Sequence, residues 1–136
     1  MRYAITQQQP LTAAIAMNAQ SFKPKAYLKE ACPFSFKFWL FMVEAGIADQ
    51  IEVIRCAPND PAFEKVKASL AKGLGRAASF PTVEIEPGHY QSDSDALIQH
   101  FASRNGIDAS QLPALAFYKE TIFPQIVELH KLKQGK

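Results

Sequence analysis

Between Lys25 and Gly106 the spacing of apolar residues switches repeatedly between alternation and helical period, so the chain reads strand, helix, strand, helix, strand, strand, helix. Lys25-Ala26-Tyr27-Leu28-Lys29 alternates as a half-buried strand does. Phe34 to Ala45 is apolar nearly all round and ends at Gly46, which predicts a helix buried against more than one neighbour. Ile51 to Cys56 is short and β-branched, and Asp60-Pro61 offers a cap and a first-turn proline to a helix whose apolar face is Phe63, Val66 and Leu70. That helix closes at Gly73 and Gly75. Phe80-Pro81 leads into an alternating strand, Thr82 to Glu86, which Pro87-Gly88 turns back through His89-Tyr90-Gln91. Ser92-Asp93-Ser94-Asp95 then provides several capping side chains for a helix through Ala96, Leu97, Ile98 and Phe101.

Strands separated by helices require a right-handed parallel crossover, and the closing hairpin adds two antiparallel strands. The expected fold class is therefore α/β, a mixed four-stranded sheet flanked by helices, over residues 25–106. Residues 1–24 are polar and Gln-rich, and read as an N-terminal extension with at most a short helix over Leu11 to Met17. Residues 107–136 read as a C-terminal helical extension in which Leu115, Ile122, Ile126 and Leu129 fall near helical spacing and Pro124 marks a kink or break. The apolar face of that extension needs a partner, from the same chain or from a second copy in a homodimer.

Charge and hydropathy remove two classes of partner. With 15 basic and 13 acidic residues the net charge is +2, too small for a dedicated nucleic-acid binder. The longest apolar run, Phe38 to Val43, falls far short of the roughly 18 residues that a membrane span needs. Arg2 followed by Leu11 to Met17 is a poor match to a signal peptide because Gln7, Gln8, Gln9 and Pro10 intervene, so the expected location is cytoplasmic. Cys32 and Cys56 are too few for a disulfide framework, and one of them is expected to be chemical rather than structural.

Cys32 is the candidate. Proline suits the first turn of a helix because the N–H it lacks would have no intrahelical partner there, so Pro33 puts Cys32 at the N-cap or just before it. At that position unpaired N–H groups and the positive end of the helix dipole favour thiolate over thiol. Lys29 at the strand end can add a cation, and the hydroxyl of Ser35 in the first turn is expected to donate to the sulfur. Cys56 reads as a packed thiol at the end of the second strand, with a regulatory disulfide to Cys32 as the other reading. Phe34, Phe38, Trp39 and Phe41 read as core. His89, His100 and His130 show no metal-binding spacing, and no metal is expected.

Lys29-x-x-Cys32-Pro33-Phe34-Ser35 resembles the active-site turn of glutaredoxins with serine in place of the second cysteine. Phe80-Pro81 resembles the cis-proline that faces the active cysteine throughout the thioredoxin-like superfamily. Asp93-Ser94-Asp95-Ala96-Leu97-Ile98 resembles the helix start with which glutathione transferases hold the γ-glutamyl group. The three motifs in this order, over roughly Lys25 to Gly106, resemble glutaredoxins and the N-terminal domains of glutathione transferases, and imply a thioredoxin-like sheet. They imply catalytic roles for Cys32 and Ser35, and glutathione contacts from Lys29, Pro33, Phe34, Phe80, Pro81, Asp93 and Ser94.

The activity so implied is thiol–disulfide exchange of the monothiol type, with glutathione as co-substrate and glutathionylated or disulfide substrates as partners, since Ser35 closes the two-thiol route. Glycine stands at the position of Pro33 in the glutaredoxins that carry an iron–sulfur cluster, which argues against a cluster. Two alternatives follow from the same residues: a glutathione transferase-like conjugating protein, and a non-catalytic interaction module that keeps the fold and docks a partner through its extensions.

Overall fold

A computed structural model describes residues 22–134. The expected short helix over Leu11 to Met17 lies outside them. The sheet is built from β1 (Lys25–Lys29), β2 (Glu52–Cys56), β3 (Thr82–Glu86) and β4 (His89–Ser92). The strands lie in the order β2-β1-β3-β4. β1 runs parallel to β2, with Lys29 opposite Cys56, and antiparallel to β3, with Tyr27 opposite Thr82. β3 and β4 form the hairpin, with Thr82 opposite Ser92 and a register irregularity between Glu84 and Glu86. Helix α1 (Pro33–Glu44) connects the first parallel pair, α2 (Phe63–Leu74) leads to β3, and α3 (Ser94–Arg104) follows the hairpin. This is the α/β, mixed four-stranded arrangement that the period changes predict, and it is compatible with a thioredoxin-like fold.

Alternation along β1 separates two layers. Ala26 and Leu28 are buried on one face with Phe38, Phe41 and Met42 of α1, Val83 of β3, and Leu97, Ile98 and Phe101 of α3. Phe38 and Phe101 meet with ring centroids 5.8 Å apart. Phe63 and Leu70 of α2 are buried outside this cluster, on the side where Phe63 stacks on Phe80 at 5.8 Å. α2 approaches β4 so closely at Gly73 that a Cβ there would lie 2.5 Å from the ring of Tyr90.

Three details depart from the expected elements. α2 begins at Phe63, not at Pro61: the Asp60 carboxylate accepts from Ala62 N–H at 2.8 Å and closes a turn that contains the proline before the helix starts. α1 is not buried all round. Phe34, Phe36 and Val43 are 38%, 48% and 49% exposed, whereas Ser35 and Lys37 are buried. Ser35 turns inward to accept from Lys29 N–H, and Lys37 is covered by Asp95 and the ring of Phe123. Pro124 does not break the last helix: α4 (Pro113–Phe117) widens into a π-helical turn at Tyr118–Ile122 and continues as α5 (Phe123–Gln134). The wider turn accommodates a residue that cannot donate a backbone hydrogen bond.

This C-terminal segment is docked along α1. The Glu44 carboxylate, at the last turn of α1, accepts from the N–H groups of Ala114 and Leu115 at 2.7 and 2.8 Å, satisfying two donors at the start of α4. Leu115 is 1% exposed and joins the main core. No helix of the described residues is long and apolar enough to cross a membrane.

Candidate functional site

β1 leaves the sheet at Lys29 and the chain turns through Glu30 and Ala31, whose φ of +61° is unusual for a residue other than glycine. Cys32 follows as the N-cap of α1, with extended backbone angles, and Pro33 occupies the first helical position. Four hydrogen bonds hold the turn. Glu30 N–H donates to the carbonyl of Cys56 at 2.9 Å, Lys29 N–H to Ser35 Oγ at 3.0 Å, Phe36 N–H to the Cys32 carbonyl at 3.0 Å, and Tyr118 O–H to the Pro33 carbonyl at 2.8 Å.

The sulfur itself lies between two backbone groups. Ser35 N–H donates to Cys32 Sγ at 3.4 Å, and Sγ–H points to the carbonyl oxygen of Phe80 at 3.9 Å. The Phe80-Pro81 peptide bond is cis. Cys32 is half-buried and free, so it combines access with a hydrogen-bond donor able to support negative charge on sulfur. One expectation changes here. Ser35 meets the sulfur through its amide rather than its hydroxyl, because the hydroxyl oxygen is taken by Lys29 N–H. The Phe80 carbonyl is engaged by the Cys32 thiol.

Cys56 has the opposite character. It is 5% exposed, burial followed by the nearby Glu30 charge pushes its thiol pKa up, and its Sγ lies 3.5 Å from the carbonyl oxygen of Ile54. A thiol held in its protonated form and away from solvent is a packing group. Both cysteines are free.

A cavity of about 830 Å³ opens beside Cys32. Its walls come from Leu28 and Lys29 of β1, Val53 and Arg55 of β2, Phe36 and Trp39 of α1, and Tyr118, Ile122 and Ile126 of the C-terminal segment. Of the residues singled out in the sequence, Lys29, Cys32, Pro33 and Ser35 line it, whereas Phe34, Phe80, Pro81, Asp93 and Ser94 do not. Phe80 and Pro81 sit at the start of β3, and Thr82 pairs with Ser92, so the β-ladder brings the start of α3 to the same end of the sheet. Asp93 caps α3 with φ +83° and accepts from Asp95 N–H at 3.4 Å; it is exposed, whereas Ser94 is 2% exposed. Arg76 donates to the hydroxyl of Ser92 next to this helix start. Phe34 packs edge-on against Phe123, at 5.2 Å.

Lys37 ties the parts together. Its buried ammonium pairs with Asp95 Oδ1 at 2.9 Å and lies 4.3 Å from the ring centroid of Phe123, linking α1, α3 and α5. Sequence reasoning missed Lys37 and Tyr118. For Tyr118 a signal existed: Leu115, Tyr118, Ile122 and Ile126 lie on one helical stripe. For Lys37 there was none, because a lysine within an apolar helix is read as the solvent side. Burial pushes the phenol pKa of Tyr118 up to about 12, with the neighbouring Cys32 charge adding to the shift, so it remains a hydrogen-bond donor at any physiological pH. Compared with known proteins, the chain matches no family model and no curated protein, so what this cysteine can do is read from its surroundings.

Proposed function

We propose that this protein is a glutathione-dependent thiol–disulfide oxidoreductase of the monothiol, glutaredoxin-like type, with a thioredoxin-like domain whose nucleophile is Cys32. The observation that carries the reading is the sulfur at the N-cap of α1, with Ser35 N–H 3.4 Å away on one side and the Phe80 carbonyl 3.9 Å away on the other. A half-exposed cysteine so placed is suited to attack a disulfide in line, with backbone groups ready to pair with an extended γ-glutamyl tripeptide.

In this mechanism the Cys32 thiolate attacks the glutathione sulfur of a mixed disulfide. A Cys32–glutathione disulfide forms, the original S–S bond breaks, and the substrate thiolate leaves and takes a proton from water. A second glutathione thiolate then attacks the glutathione sulfur on Cys32, releasing oxidised glutathione and restoring the Cys32 thiolate. Ser35 serves through its amide. Lys29 orients the glycyl carboxylate, the Phe80 carbonyl, released when Cys32 gives up its thiol proton, pairs with the cysteinyl unit, Asp93 takes the γ-glutamyl ammonium and the Ser94 amide its carboxylate. Pro33 and Phe34 shape the turn against the tripeptide.

One observation favours a second reading, glutathione transfer to an apolar electrophile: the cavity beside Cys32 has Leu28, Val53, Trp39 and Ile122 in its walls. There Cys32 would hydrogen-bond the glutathione thiolate instead of attacking.

The test is reduction of a glutathionylated small disulfide, run beside conjugation of glutathione to a chlorinated aromatic, with wild type and Cys32→Ser. Reductase turnover that disappears in Cys32→Ser supports the first reading. Conjugation retained by the variant supports the second, and wild-type inactivity in both assays eliminates both.

A further inference from the structure

The C-terminal segment is fastened to α1 at both of its ends. At the last turn of α1, Glu44 accepts from Ala114 and Leu115 N–H. At the first turn, Tyr118 O–H donates to the Pro33 carbonyl at 2.8 Å, a bond between residues 85 positions apart in the chain. Tyr118 is 5% exposed and lies in the π-helical turn Tyr118–Ile122. Its ring meets Phe36 edge-on at 5.0 Å and Phe123 at 5.7 Å, and it forms part of the cavity wall beside Cys32.

We infer that Tyr118 is a positioning residue for the Cys32 sulfur: its hydroxyl pins the first turn of α1 from outside and thereby keeps Sγ within reach of the Ser35 amide. Pro33 has no N–H with which to anchor itself, so its carbonyl is the backbone handle that a distant element can grip. The Ser35 N–H to Sγ distance of 3.4 Å is an ordinary one for a sulfur acceptor, and a tilt of the turn that lengthens it weakens the support the amide gives to charge on sulfur. The π-helical turn belongs to the same device. It resets the helical stripe so that Tyr118 reaches Pro33 while Phe123 reaches Lys37. The inference uses Cys32 as the reacting atom of the proposed function, but it concerns the reactivity of the sulfur whatever the substrate.

The experiment measures alkylation of Cys32 by iodoacetamide, followed by mass spectrometry of its peptide, in wild type, Tyr118→Phe and Glu44→Gln. The Phe variant keeps the ring and loses only the hydroxyl, and circular dichroism verifies its fold. Because displacements of about 1 Å at a reacting atom can cost on the order of a hundredfold in rate, loss of this single hold is expected to slow alkylation about five- to tenfold. In the glutathione assay kcat is expected to fall by a similar factor with KM for glutathione unchanged. Glu44→Gln loosens the same segment at the far end of α1 and is expected to stay within about twofold of wild type, as hydrogen bonds remote from the reacting atom do. A wild-type alkylation rate in Tyr118→Phe overturns the inference. So does equal slowing in Glu44→Gln, since the effect would then belong to docking in general. Wild-type protein that alkylates readily at Cys32 but turns over no glutathionylated disulfide defeats the proposed activity and leaves the role of Tyr118 to be judged on the alkylation rates alone.

Discussion

Lys37 shows what a single residue does when helix periodicity and tertiary packing disagree. Its ammonium is held by Asp95 and by the face of Phe123, yet Asp95 itself is 69% exposed in its side chain. The two partners are therefore unequal. Removing the carboxylate leaves a buried cation with only the rings of Phe123 and Phe34 beside it, whereas replacing the lysine by an apolar chain of similar length removes the buried charge altogether. Asp95→Ala is expected to lower the unfolding free energy by about 2 kcal/mol and Lys37→Met by about 1 kcal/mol or less, read from urea denaturation at neutral pH. Equal losses would mean that the pair stabilises through its own attraction and not through relief of a buried charge. None of this was legible in the sequence. Lys37 interrupts an apolar run, and only the arrival of Phe123 and Asp95 from distant segments turns a solvent-type residue into an interior one.

At the level of elements, helix-to-strand packing depends on one glycine. Gly73 lies inside α2, where alanine would ordinarily favour the helix by about 1 kcal/mol. Here a Cβ would meet the Tyr90 ring on β4 at 2.5 Å, and forcing such a contact costs about 1 to 3 kcal/mol. Gly73→Ala is expected to destabilise the protein by about 1 kcal/mol net, and the same change in a Tyr90→Ala background is expected to stabilise it. A thermal-melt double-mutant cycle checks both signs. The glycine was read in the sequence as a stop signal together with Gly75. Gly75 does have a left-handed φ of +74° and ends the helix, but Gly73 serves the close approach to Tyr90. Local chemistry at Gly75 could be read from the chain alone. The proximity of Gly73 to Tyr90 required knowing which strand the helix would lie on.

Across the whole molecule, the C-terminal segment is part of the core that carries the candidate site. Leu115 packs into the cluster formed by α1, α3 and the sheet, and Tyr118 and Ile122 form part of the wall of the cavity beside Cys32. Leu115→Ala is expected to cost about 3 kcal/mol, in the range for truncating a fully buried leucine, and to shift the single unfolding transition as a whole without adding a second one. A separate low-temperature transition for the C-terminal helix would contradict this. The sequence by itself determined the order of strands and helices, the placement of Cys32 at a helix start and the end of α2, because alternation, helical period, Pro33 and Gly75 act over a few neighbouring residues. Tertiary structure alone decided that Lys37 is buried and Phe36 exposed, that Ser35 meets the sulfur with its amide, and that Tyr118 reaches the turn. Each of these depends on contacts between segments far apart in the chain, where burial and hydrogen-bond partners are set by what packs against a residue and not by the residues beside it.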